Sequence, residues 1–220
     1  KIANRLHGYT GKAARNIDRE RTSAGVATRK GAKKAQHVSL TDDQVKALKT
    51  HPDTPQGRRD AVLMCLLLDH GLRVGELALL TVDAFRQDDA GVFEFHRPKV
   101  GKDQKHRLTP DTAAALARYM ATDAPEPGAR IFRQSRKGGR LAGAGIGERN
   151  LSGRVRVLGN KIGIENLSAH DCRHSWATRA VAGGTDAFAL RDAGGWSSLA
   201  MPSRYVESAA IANACVKLPA

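Results

Sequence analysis

Residues Ala61 to Leu68, eight apolar side chains in a row, constrain this chain more than any other stretch. A helix that is apolar on every side must be surrounded by protein, and eight residues are too few to cross a bilayer. The run therefore predicts a central buried helix from about Arg59 to His70, with Gly71 standing where a left-handed terminating residue belongs. A hydrophobic content of 41% over 220 residues allows one domain around that helix, or a domain plus an appendage.

The flanking patterns are mostly helical. Thr41 and Gln44 form a capping box that opens a short helix through Lys49. Leu72 to Leu80 has helical apolar spacing, with Arg73 in its first turn. Gly91 to His96 alternates like a strand. A turn rich in Lys and Gly over 99–105 then leads to a second strand ending at Pro110, which makes a β-hairpin with a basic loop. Asp111 to Met120 is an Ala-rich amphipathic helix. Ile131 and Phe132 read as a short strand or as the entry to a Gly-rich, basic loop over 135–147. Further helices are predicted from about Glu148 to Ile162, from Ser168 to Ala182, from a Thr185 cap through Asp192, and from Ala209 to Val216, with a turn at Gly194-Gly195-Trp196. The fold class is mainly α with a small antiparallel β-sheet, that is, α+β.

Charge narrows the partners. A formal net charge of +14 points to a polyanion, either nucleic acid or a membrane surface. Residues 1–37 hold ten lysines and arginines against Asp18 and Glu20, with poor apolar periodicity and four glycines. They read as a linker or arm able to lie along phosphates, with Arg29, Lys30, Lys33 and Lys34 as contacts. Cys65, Cys172 and Cys215 are odd in number and widely spaced, which suits a reducing compartment. No signal peptide or membrane-length apolar run is visible, so a cytoplasmic location away from membranes is expected.

Chemistry concentrates in Leu167 to Thr178. Ser168 and Asp171 form a helix-opening pair, after which His170, Arg173 and His174 share one helical face. A helix N-terminus that carries an imidazole and a guanidinium on one face can hold a phosphate. His170, Cys172 and His174 lack a second pair at zinc-finger spacing, and Cys172 leaves the face, so no metal is expected. No Walker loop or two-metal carboxylate cluster is present in the sequence either, and no cofactor is expected.

Arg73 in Gly71-Leu72-Arg73-Val74-Gly75-Glu76-Leu77, the motif His170-Asp171-Cys172-Arg173-His174, and Trp196 nine residues before Tyr205 occur in an order that resembles the tyrosine recombinase (phage integrase) family. The resemblance covers roughly residues 40 to 207. It differs at Gly194-Gly195, where the family often has Leu-Gly. It implies the family's catalytic-domain fold over 38–208, with 1–37 as linker or tail of an N-terminal DNA-clamping domain. Residues 209–220 would be a C-terminal tail able to pack on a neighbouring protomer.

The implied activity is site-specific cleavage and rejoining of double-stranded DNA through a 3′-phosphotyrosyl link, without metal or ATP, by a homotetramer. A type IB topoisomerase-like enzyme or a catalytically silent DNA-binding regulator are the alternatives on the same scaffold. The implied roles are Tyr205 as nucleophile and His170 as its general base. Arg73 and Arg173 would hold the charge that builds on the phosphate oxygens. Lys102 would protonate the leaving 5′-oxygen, since it precedes Pro110 by eight residues as the family's lysine does, with Lys99 as second choice. Trp196 would donate to a phosphate oxygen and pack. Glu76 and His174 would support these groups, and Lys99, Lys105 and Arg107 would contact phosphates.

Overall fold

The buried run lies inside a helix longer than predicted. In the computed structural model, which describes residues 37–85, 91–123 and 125–209, helix α2 spans Pro55–His70 and starts four residues before the expected Arg59. Thr54 caps it, its side chain accepting from the Gly57 N–H, and Pro55 occupies a first-turn position that needs no N–H donor. Gly71 ends it in the left-handed conformation at φ 60°. Val62, Leu63, Met64, Leu66, Leu67 and Leu68 are fully buried, as an all-round apolar helix requires.

The chain divides into two units, residues 1–37 and 38–220, and the architecture described here is that of the second. Helix α1 (Asp42–Lys49) opens on the Thr41–Gln44 capping box and buries Val45 and Leu48. Helix α3 spans Val74–Leu79 and a 3₁₀ turn spans Val82–Phe85. Strands β1 (Val92–Arg97) and β2 (Lys102–Arg107) pair antiparallel, from Val92 opposite Arg107 to Arg97 opposite Lys102. Phe93 and Phe95 point inward and stack together with ring centroids 5.4 Å apart. The second strand stops short of the predicted end, because Pro110 instead opens α4 (Pro110–Asp123).

Ile131 and Phe132 are core residues outside any strand. The Gly-rich loop that follows contains a small hairpin, β3 (Gln134–Ser135) with β4 (Leu141–Ala142), turned at Gly138 and Gly139, both with positive φ. Helices α5 (Glu148–Lys161), α6 (Ala169–Ala182), α7 (Ala187–Gly194) and α8 (Ala200–Ala209) follow. The helix around Tyr205 was not anticipated, and the one expected over 209–216 lies outside the described residues except for Ala209, the last residue of α8.

Among the described residues two apolar clusters result. The larger surrounds α2, which packs on α1, α4 and α6. The smaller consists of Trp176, Ala177, Leu190 and Tyr205, where α6, α7 and α8 meet. Among the described residues no helix is long and apolar enough to cross a membrane.

Candidate active site

Around the smaller cluster the structure gathers most of the predicted residues. Arg73 is the N-cap of α3 and not part of its first turn, so its side chain leaves the helix end. Its Nη1 donates to Glu76 Oε1 at 2.8 Å, its backbone N–H to Glu76 Oε2 at 2.8 Å, and its Nη2 to the Gly195 carbonyl at 3.1 Å. Glu76 is buried, and each of its two oxygens accepts from Arg73.

Helix α6 begins at the predicted capping box. Ser168 accepts from the Asp171 N–H, and the buried Asp171 carboxylate accepts from the Ser168 N–H and from the Val38 N–H. This fixes the first turn, from which Arg173 points inward. Its Nη1 donates to the Gly71 carbonyl and its Nη2 to the Gly194 carbonyl, each at 2.5 Å. The guanidinium also lies 4.3 Å above the Trp196 ring. Burial, reinforced by the charges of Arg73 and Arg97, pushes the Arg173 guanidinium down to about 9.

Trp196 stacks on Trp176 with centroids 6.1 Å apart, so the indole is both packing and wall. The glycines around it have defined work. A Cβ on Gly194 would lie 1.9 Å from the Trp196 ring, and one on Gly71 would lie 2.2 Å from the Trp176 ring. Gly194 is therefore matched to this tryptophan, which accounts for glycine where the resemblance suggests leucine.

Tyr205 is buried on α8, beside Trp196. Its hydroxyl is 2.7 Å from Nδ1 of His174, and Nε2 of His174 is 2.9 Å from Nε2 of the exposed His170. The predicted support residue, His174, is thus the one that touches the tyrosine, and His170 is one imidazole further out. Burial raises the phenol above its ordinary 10.0, against the pull of the Arg173 charge.

A cleft of about 610 Å³ opens between the hairpin and the turn after α7. Lys99, Lys102, Arg191 and Trp196 are among its lining residues, so both candidate lysines face the same space. Lys105 and Arg107 are exposed along β2, with Lys105 3.7 Å from Glu94. Arg29, Lys30, Lys33 and Lys34 lie outside the described residues.

One central residue was missed. Arg97, at the end of β1, is buried and donates to both oxygens of Glu76 and to the carbonyls of Ala193 and Gly194. Its signal was parity: in an alternating strand it shares a face with Phe93 and Phe95.

A helical domain around one buried helix, with a hairpin arm and this set of guanidiniums, imidazoles, indole and phenol, has the fold of a tyrosine recombinase catalytic domain. Residues 38–211 match the Phage integrase family, and the chain belongs to that family. It is 34% identical over 186 residues to the tyrosine recombinase XerC of Methylobacterium sp. (strain 4-46), covering 80% of this chain and 54% of that protein. It is 32% identical over 179 residues to the tyrosine recombinase XerD of Xanthomonas campestris pv. campestris, covering 76% and 54%. The chain thus spans about half the length of the curated relatives it matches. The fold is shared with the XerA recombinase (TM-score 0.59, 22% identity, 77% of this chain and 60% of that one). It is also shared with the Tn1549 transposon integrase in complex with transposon right end DNA (TM-score 0.60, 16% identity, 93% and 77%).

Proposed function

We propose that the chain is the catalytic part of a site-specific DNA recombinase that cuts and rejoins strands through Tyr205. The observation that carries the reading is one site joining a buried tyrosine, bonded to an imidazole, to guanidiniums in excess of carboxylates. A phosphodiester has one negative charge and gains a second as an oxygen attacks it. Arg73 and Arg173 hold the non-bridging oxygens and stabilise that added charge.

Tyr205 Oη forms the new bond to phosphorus while the bond to the 5′-oxygen breaks. The phenolic proton passes to His174 Nδ1, whose Nε2–H donates to His170, where solvent can take the proton. Lys102 gives a proton to the leaving 5′-oxygen, with Lys99 beside it as a phosphate contact. The 3′-phosphotyrosyl link conserves the energy of the diester, so rejoining by a new 5′-hydroxyl is the same chemistry reversed and calls for neither ATP nor metal. Double-stranded DNA is the partner, bound along the basic hairpin and the arm, and four protomers assemble on it to exchange strands. The curated relatives, named tyrosine recombinases, support this reading.

The test uses nicked duplexes tiled across the DNA flanking the gene, in which cleavage releases a short strand and traps the intermediate. The expected result is a covalent protein–DNA adduct that Tyr205→Phe abolishes while DNA binding persists. An adduct that survives Tyr205→Phe would sink the assignment. Relaxation of any supercoiled plasmid by monomeric protein would point to a topoisomerase instead.

A further inference from the structure

Arg97 belongs to none of the motifs that define the site, yet it bonds to several of its parts at once. Its Nη1 donates to Glu76 Oε1 at 2.9 Å, to Glu76 Oε2 at 3.1 Å and to the Gly194 carbonyl at 3.2 Å. Its Nη2 donates to the Ala193 carbonyl at 2.7 Å, and its Nε to Gln104 Oε1. The guanidinium also lies 4.8 Å above the Phe95 ring. Four of the five N–H donors that any arginine carries are directed at protein atoms, so Arg97 acts through other residues and not on substrate.

We propose that Arg97 is a positioning residue for strand transfer, a clamp that sets both phosphate-holding arginines, the Trp196 turn and the lysine hairpin on one frame. The inference rests on the functional reading above.

Three shared partners carry it. Glu76 receives Arg97 and Arg73 together, so the carboxylate that aims Arg73 is itself aimed by Arg97. The Gly194 carbonyl receives Arg97 and Arg173 together. Arg97 is also the strand partner of Lys102, and its contact Gln104 donates from Nε2 to the Asp192 carbonyl at 2.6 Å. The hairpin stem is thereby tied to the C-terminal end of α7, while the turn carrying Lys99 stands free of that tie.

The electrostatics have the same logic. Three guanidiniums surround one buried carboxylate, a surplus of positive charge that burial makes unfavourable until an anion enters. Arg97 is one of the charges that hold Arg173 below its ordinary range, and a phosphate would relieve the strain on both. Lysine could replace the charge. It could not reach Glu76, two carbonyls and Gln104 at once, because an ammonium lacks the planar fork.

Arg97→Lys is therefore the informative substitution, tested on the intact chain with the nicked duplex that gives the strongest adduct. At saturating DNA the single-turnover cleavage rate should fall about 10- to 100-fold, the range expected when reacting groups are misplaced by about an ångström. The Kd for the same duplex should stay within about threefold, because the charge is kept. Gln104→Leu, which cuts the tie to the hairpin but leaves the Arg97–Glu76 pair, should give a smaller rate loss at unchanged affinity. It also serves if Arg97→Lys fails to fold.

Wild-type cleavage rates in both variants would overturn the clamp. So would rate, affinity and thermal midpoint falling together in both, which is the behaviour of a core ion pair with no part in positioning. If the unsubstituted protein forms no adduct on any duplex, the functional reading fails, and the clamp falls with it.

Discussion

At the scale of single residues, the contact between Tyr205 and His174 does most to decide how a tyrosine could be made nucleophilic. A phenol whose proton is harder to remove than usual needs an acceptor already in hydrogen-bonding reach, and His174 Nδ1 is at 2.7 Å. With the tyrosine O–H donating to Nδ1 and the His174 Nε2–H donating to His170, the proton has a continuous way to the surface. His174→Gln should therefore lower the adduct-forming rate by about 10²- to 10⁴-fold at unchanged DNA affinity. His170→Gln, one step removed, should lower it less. Single-turnover cleavage of a trapped duplex measures both, and a larger loss in His170→Gln would place the acceptor at His170 alone. The sequence made both histidines visible, because positions 170 and 174 share a helical face. The resemblance put His170 first and His174 in support, whereas the phenol meets His174, because the order depends on where α8 sets Tyr205, 31 residues further along the chain. Arg97 was hidden for a related reason. An arginine at a strand end reads as a surface charge, and only its parity with Phe93 and Phe95 marks it as inward.

At the scale of elements, the helices were legible where their ends carry chemistry of their own. The capping boxes at Thr41 and Ser168 and the left-handed Gly71 stand where the residues say, because each is a local agreement between side chain and backbone. The β3–β4 hairpin and α8 were not legible. The first is only two residues to a strand, and the second, with Pro202 in its first turn and a mixed composition, is held by packing on α6 and α7. The β1–β2 hairpin yields a sharper expectation. Its stem is pinned through Arg97 and Gln104, so the lysine that begins β2 has a fixed base, whereas Lys99 sits in the turn. If Lys102 protonates the leaving oxygen, Lys102→Ala should cut cleavage of ordinary DNA by about 10²- to 10⁴-fold. The loss should largely vanish on a duplex whose scissile 5′-oxygen is replaced by sulfur, a leaving group that needs no proton. Lys99→Ala should show no such rescue. Rescue of Lys99→Ala but not of Lys102→Ala would exchange their roles.

At the scale of the whole molecule, the single apolar run at Ala61–Leu68 set the architecture, and its burial has a consequence for acid stability. The last residue of the same helix, His70, is buried against Phe93 in edge-on contact and 3.0 Å from the Thr112 hydroxyl. Burial, with the nearby charge of Lys49 adding to it, pushes its imidazole down to about 4 from an ordinary 6.5. Between those two values the unfolded chain holds a proton on His70 that the folded chain does not. Stability must therefore rise with pH across that window, at up to about 1.4 kcal/mol per pH unit from this one group. His106, whose ring is 5.8 Å from that of His70, is pushed down to about 3 by burial and acts in the same direction. Urea unfolding at pH 7.0 and about pH 4.5 should show a loss on the order of 5 kcal/mol between them, about half of it from each histidine. His70→Asn, which can still hydrogen-bond Thr112 but does not titrate, should remove about half of the dependence and leave the part due to His106. A wild-type protein equally stable at both values would overturn the assignment of His70 as a buried neutral imidazole. The same helix ends at the Gly71 carbonyl that receives Arg173, so acid that charges His70 should loosen Arg173 as well as the hairpin packed on the imidazole. DNA cleavage should accordingly fail at a higher pH than the helical content does, which parallel measurements of adduct formation and far-UV circular dichroism would resolve.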